Sequence, residues 1–94
     1  MSAYLVVDID IHDMKSIEDY RSKALPLVAK VGGKLIAIDE TPLELEGWTA
    51  TNMLIIEFPN RQAIRELFAS PEYAPLAAQR QTAAGSRIIA INGV

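Results

Sequence analysis

The chain has 94 residues, half of them hydrophobic, with a formal charge of −3, one histidine and no cysteine. That length builds one domain rather than two cores, and the missing cysteines exclude a disulfide framework and a thiolate nucleophile. One histidine is too few for the usual structural zinc sets, the acidic balance argues against nucleic acid, and no apolar run nears the roughly 20 residues that span a bilayer.

Met1-Ser2-Ala3-Tyr4 leads straight into an apolar alternation, without a basic segment followed by an apolar one, so a cytoplasmic, soluble protein is expected. In residues 3–11, AYLVVDIDI, Leu5, Val7, Ile9 and Ile11 share one face. Tyr4, Val6, Asp8 and Asp10 share the other, the period of a strand. After a turn at 12–15, Ser16 is the expected N-cap of a helix, with Asp19 as its capping-box partner. Ile17, Tyr20, Ala24, Leu27, Val28 and Val31 recur at helical spacing. Pro26 falls inside that stripe and is expected to kink or loosen it; Gly32-Gly33 ends it.

Residues 34–39, KLIAID, read as a second strand. Residues 40–51, ETPLELEGWTAT, carry Pro42, Gly47 and the only tryptophan, and are too long for a tight hairpin. Leu43 and Leu45 are expected to extend the ladder as a short arm turned at Glu46-Gly47. Residues 52–58, NMLIIEF, stopped by Pro59, read as a central strand buried on both faces. Leu54, Ile56 and Phe58 point one way, and Met53, Ile55 and Glu57 the other. Asn60 should cap a helix that buries Ile64, Leu67 and Phe68. Ser70-Pro71-Glu72 has the cap, the N1 proline and the first-turn acid of another, with Tyr73, Leu76, Ala77 and Arg80 on one face. Ala84-Gly85-Ser86 closes it, and residues 87–91, RIIAI, form the last strand.

The order β-α-β-β-α-β is the ferredoxin-like α+β plan: an antiparallel sheet ordered four-one-three-two with its helices on one face. Such a sheet should be polar on its open side, yet LIAI, MLII and IIAI are apolar on both. A patch of that size needs a cover, most simply the same face of a second copy in a two-fold homodimer.

Several segments together resemble the small proteins of the domain of unknown function 1330 family. They are AYLVVDIDIHD, Tyr20-Arg21, Gly32-Gly33, Leu45-Glu46-Gly47-Trp48, Ile56-Glu57-Phe58-Pro59, Ser70-Pro71-Glu72-Tyr73 and Ser86-Arg87. The resemblance covers essentially the whole chain and implies the dimeric α+β barrel superfamily, in which two sheets pack into a barrel. It includes cofactor-independent monooxygenases, muconolactone isomerase-like enzymes and haem-binding members, with pockets usually between helices and sheet. It supplies no agreed catalytic residues, and His12 matches no haem-ligand motif.

Asp8, Asp10 and Glu57 should share the open face. Clustered carboxylates raise one another's pKa and can act as acid or base, which makes Glu57 and Asp10 the catalytic candidates. The competing assignment is ion pairing across the dimer or exposure at the barrel rim, with Arg87 as a partner. Tyr20, Tyr73 and Arg80 are the ligand-binding candidates, placed to grip a carboxylate or phenolic oxygen between helices and sheet; the competing assignment is core tyrosines with wet tips and an arginine stem covering apolar surface. Trp48 is a lid or wall of that pocket, or packs over the partner. His12, in a turn, is read as solvated. No motif for a metal, a phosphate or a cofactor is present. Two functions stay open: binding of a small apolar or aromatic molecule, in an enzyme version resembling cofactor-independent isomerases or monooxygenases, and a non-catalytic ligand-binding or dimerisation module.

Overall fold

The computed structural model describes residues 1–94. Its elements run β1 (Ala3–Ile11), α1 (Met14–Lys30), β2 (Lys34–Asp39), β3 (Asn52–Phe58), α2 (Arg61–Ala69), α3 (Ala74–Ala83) and β4 (Ala84–Asn92). The four strands form one antiparallel sheet in the order β2-β3-β1-β4, the ferredoxin-like arrangement expected from the sequence. The two-residue repeat sets its faces. Leu5 pairs with Ile56 and Ala90, and these turn toward the helices; Val6 pairs with Ile55 and Ile89, and these turn away.

On the helix side Phe58 and Ile17 are completely enclosed, and the core extends through Leu5, Val7, Ile64 and Leu76. The opposite face has no helix over it. There Ile89 is 62% exposed, with Ile36 and Ile91 also open and Val6, Met53 and Ile55 half-buried.

Local chemistry explains the boundaries, and some fall elsewhere than the sequence pattern indicates. The cap of α1 is Asp13 rather than Ser16: the Asp13 carboxylate accepts the Ser16 backbone N–H at 3.1 Å. Ser16 is therefore the capped residue, and both have cap-forming side chains, so spacing alone could not choose between them. The helix runs unbroken through Pro26, which sits on its exposed side. It ends in a Schellman motif, with Gly33 N–H bonded to Val28 C=O at 2.8 Å and Gly32 N–H to Ala29 C=O at 3.0 Å. Gly32 takes the left-handed φ of 84° that this motif needs.

Asn60 caps α2 as expected, accepting from Ala63 N–H at 2.9 Å, but Phe68 is left partly open at 40% exposure. Ser70-Pro71-Glu72 does not begin α3. It forms a turn in which Ser70 C=O accepts from both Tyr73 and Ala74, and the helix starts at Ala74 with Pro75 in its first turn. β4 follows directly at Ala84, so the expected closing turn at 84–86 belongs to the strand.

β2 is the edge strand: only β3 pairs with it, and every one of its residues is exposed. One expectation for the middle of the chain is overturned. Leu43 and Leu45 form no ladder and stand 83% and 85% exposed in an irregular loop.

Gly33 is held by packing. A Cβ there would lie 2.5 Å from Val28 Cγ1 and 2.8 Å from Phe58 Cε1, both stiff side chains, whereas one at Gly85 would meet nothing within 4 Å. Gly33→Ala should therefore destabilise the fold by about 1–3 kcal/mol, the usual cost of overpacking. Gly85→Ala should leave stability unchanged or slightly raised. Thermal melts of the two variants check the pair; equal melting temperatures would refute the packing role of Gly33.

Candidate functional site

Between the helices and the sheet lies a cavity of about 320 Å³, walled by 17 residues of which 15 are hydrophobic. Leu5, Val7 and Ile9 of β1 form its floor with Leu54 and Ile56 of β3, and α1 supplies Ile17, Ala24 and Val28. It opens where side chains are exposed, beside Leu25, Leu35, Ile38 and Phe68. The opening follows from the edge position of β2: Leu35 and Ile38 extend the wall beyond the well-buried part of the core.

The polar groups of the wall are few. Tyr20 projects from α1 on the stripe that also carries Ile17 and Ala24, and Tyr73 from the residue before α3. Their hydroxyls meet at 2.7 Å and their rings stand edge to face, 6.4 Å between centroids. Phe68 packs on the other side of Tyr73, with centroids 5.2 Å apart. Burial and the Tyr73 hydroxyl push the Tyr20 phenol well above its ordinary pKa, while the neighbouring Arg80 guanidinium acts the other way. The Tyr20 phenol is therefore neutral near pH 7, and the two hydroxyls act as hydrogen-bonding groups.

Arg80 reaches the same wall two turns along α3 from Tyr73 and is only 7% exposed. Its Nη1 donates to Ser86 Oγ at the start of β4, whereas Nε is buried with no hydrogen-bond partner. No carboxylate pairs with it; the ion pairs of the chain are His12–Asp10 and Lys23–Asp19, both at the surface. Leaving a buried guanidinium without a counter-charge costs on the order of several kcal/mol. Arg21, half-buried on α1, also lines the cavity, and no acidic residue does.

Of the residues singled out from the sequence, the structure thus brings Tyr20, Tyr73 and Arg80 together. The others lie elsewhere. Asp8, Asp10 and Glu57 do not form a carboxylate cluster: Asp8 pairs with Met53 and Tyr4 with Glu57, so the backbone positions of Asp8 and Glu57 are offset by four residues, about 13 Å along the strands. Glu57 faces away from the cavity and accepts the Tyr4 hydroxyl at 3.2 Å, opposite Lys34 in the ladder. That carboxylate raises the Tyr4 phenol above its ordinary pKa. Asp10 is solvent-exposed beside His12, with Nε2 to Oδ2 at 3.4 Å.

Trp48 lies on the open face of the sheet and not in the cavity. Its Nε1–H donates to Asp8 Oδ2 at 3.2 Å, and the Arg87 guanidinium stands 5.6 Å from its ring centroid. Asp8 also accepts Thr51 N–H at 3.0 Å and Thr51 Oγ1–H at 3.1 Å. One carboxylate, 7% exposed, thereby ties both the tryptophan and the end of the 40–51 loop to β1. The sequence analysis missed this role: the partners are 40 and 43 residues away. The only available signal was an aspartate set among the branched residues of β1.

A four-stranded antiparallel sheet carrying its helices on one face, with a cavity between the layers, defines a small ferredoxin-like α+β protein. Residues 2–94 match the family described as a domain of unknown function (DUF1330), and the chain belongs to that family. There is no match among curated proteins. The RPA0582 protein of unknown function from Rhodopseudomonas palustris superposes over 99% of this chain and 82% of its own, with a TM-score of 0.82 at 20% identity. SnoaB, a cofactor-independent oxygenase from Streptomyces nogalater, matches 99% of this chain and 93% of its own at TM-score 0.70 and 16% identity. A dimeric ferredoxin-like protein of unknown function from a Jannaschia species matches 99% and 100%, at TM-score 0.72 and 12% identity. At these identities the likeness speaks for the fold.

The Thr51 backbone N–H is the main cause holding the Asp8 carboxyl below its ordinary pKa of 3.8; the Trp48 and Thr51 side chains and Arg87 add to this, and burial opposes it. A carboxyl lowered by folding binds fewer protons in the folded chain than in the unfolded one. Its contribution is complete above the unfolded pKa and disappears as pH falls through the folded one. Asp8→Asn should cost about 1–3 kcal/mol at pH 6, and the gap to the wild type should narrow below about pH 4. Denaturant titrations at pH 6 and pH 3, read through Trp48 fluorescence, check this; a gap independent of pH would remove the charged anchor.

Proposed function

We propose that the chain binds a small, largely apolar organic molecule in the helix–sheet cavity, and does so as a homodimer joined through the open sheet face. The observation that carries the first part is the cavity itself. Its volume of about 320 Å³ falls within the range of ligand pockets, and an apolar wall with a few convergent polar groups is their usual make-up. Supporting the second part are Ile36, Ile89 and Ile91 with Val6, Met53 and Ile55, a contiguous apolar surface that a second copy would cover. The dimeric relative from Jannaschia is consistent with it.

The enzyme version of this reading, cofactor-independent isomerisation or oxygenation, draws support from the likeness to SnoaB. It requires a proton acceptor at the cavity. The ionisable side chains on the wall are Tyr20, Tyr73, Arg21 and Arg80, while Glu57 and Asp10 face elsewhere. The geometry therefore favours ligand binding, with or without turnover, over catalysis by either of those carboxylates. A module that only dimerises is the remaining competitor, and an empty cavity in solution is what it requires.

Fluorescence titration with the neutral probe N-phenyl-1-naphthylamine tests the pocket. Saturable binding at one site per chain is expected, abolished in Leu54→Trp, whose indole fills the space; absence of saturable binding would overturn the reading. Sedimentation velocity tests the assembly: a dimer at micromolar concentration, reduced to monomer by Ile89→Glu, is the expected result, and a wild-type monomer sinks it.

A further inference from the structure

The proposed pocket raises a more specific question: why an apolar cavity should hold a guanidinium. Arg80 is more than nine-tenths buried; its Nη1 donates to Ser86 and the guanidinium also lies against the Tyr20 hydroxyl, but no carboxylate reaches it. The Nε side of the fork has no partner at all. Nε–H and Nη2 form the planar edge of an arginine that matches the two oxygens of a carboxylate. The nearby hydroxyls point to the same kind of ligand. Tyr20 and Tyr73 share one hydrogen bond, which uses one of their two protons and leaves the other free to donate.

We infer that the molecule occupying the cavity is an organic carboxylate, with an apolar body against β1, β3 and α1 and its carboxylate paired with the Arg80 guanidinium, toward its unpartnered Nε edge, beside the Tyr20–Tyr73 pair. This rests on the reading of the cavity as a ligand site. A neutral apolar ligand would leave the buried Nε unsatisfied. A cationic ligand would face Arg21 and Arg80 with no acidic residue on the wall to offset them. An anion supplies the counter-charge that the protein itself does not. It also accepts the free phenolic proton, so every polar group at this end of the cavity is satisfied at once. The volume suits a body about the size of one or two fused rings, since pockets near 300 Å³ lie at the small end of ligand sites.

The test uses a matched pair of probes on the full chain: 2-naphthoate and methyl 2-naphthoate, each measured by calorimetry and by displacement of N-phenyl-1-naphthylamine. The wild type should bind the acid at least about tenfold more tightly than the ester, as a charge-assisted pair in a dry site allows. Arg80→Met, which keeps the bulk and removes the fork, should erase that preference while still binding the ester, and its melting temperature should not fall, because a buried unpaired charge has gone. Equal affinity of the wild type for acid and ester overturns the inference, as does a preference that survives in Arg80→Met. The wild-type comparison needs no variant, so it decides the matter even if Arg80→Met does not fold. If the neutral probe binds and naphthoate fails to displace it, the carboxylate assignment is wrong and the pocket stands. If the neutral probe does not bind either, both fall.

Discussion

The structure depends on the two-residue repeat of β1 and β3 being held in one register. Leu5, Val7 and Ile9 floor the cavity while Tyr4, Val6 and Asp8 lie on the other side of the same nine-residue strand. A slip of one residue would carry Asp8 and Glu57 into the core and expel its branched side chains, so the register is strongly specified by burial. With helices on one side only, that repeat also decides which chemistry can meet which. The carboxylates sit on the open face, and the guanidinia and phenols that line the cavity come from the helix layer above.

This separation gives the two faces opposite electrostatic characters. On the open face each anion has a partner: Asp8 holds Trp48 and Thr51, and Glu57 holds Tyr4. In the cavity a cation is enclosed without one. Low local dielectric makes satisfied polar groups firm and unsatisfied ones expensive. The Asp8 network is therefore read as structural and the Arg80 environment as unfinished. Membership of a family of unknown function and a fold shared with an oxygenase do not by themselves separate these roles; the hydrogen-bond inventory does.

The architecture was legible in the sequence because it is written in short-range periods. Strand alternation placed Glu57 on the open face, and helical spacing put Tyr20 beside Ile17 and Ala24, and Tyr73 with Leu76 and Arg80, on inward faces. Glycine at 32 announced the end of α1 through a backbone angle few other residues accept. What stayed hidden were choices between equivalent local signals and pairings across the chain. Asp13 and Ser16 are both competent caps, and Ser70-Pro71 carries every mark of a helix start yet makes a turn. The Tyr20–Tyr73 bond joins residues 53 apart, and the want of a partner at Arg80 is a property of the whole surrounding shell, which no spacing encodes.

The irregular register of β2 carries a consequence for behaviour in solution. An edge strand offers unpaired backbone groups to any passing chain, and Leu35, Ile36 and Ile38 are apolar and open on this one. The shift between Leu35 and Ala37 interrupts the ladder halfway along only six residues, and Lys34 and Asp39 place opposite charges at its two ends. A foreign strand approaching that rim meets a kinked, charge-flanked template in place of a straight one. The strand that gives the cavity its outer wall thus carries, in its broken ladder, a guard against open-ended fibre growth.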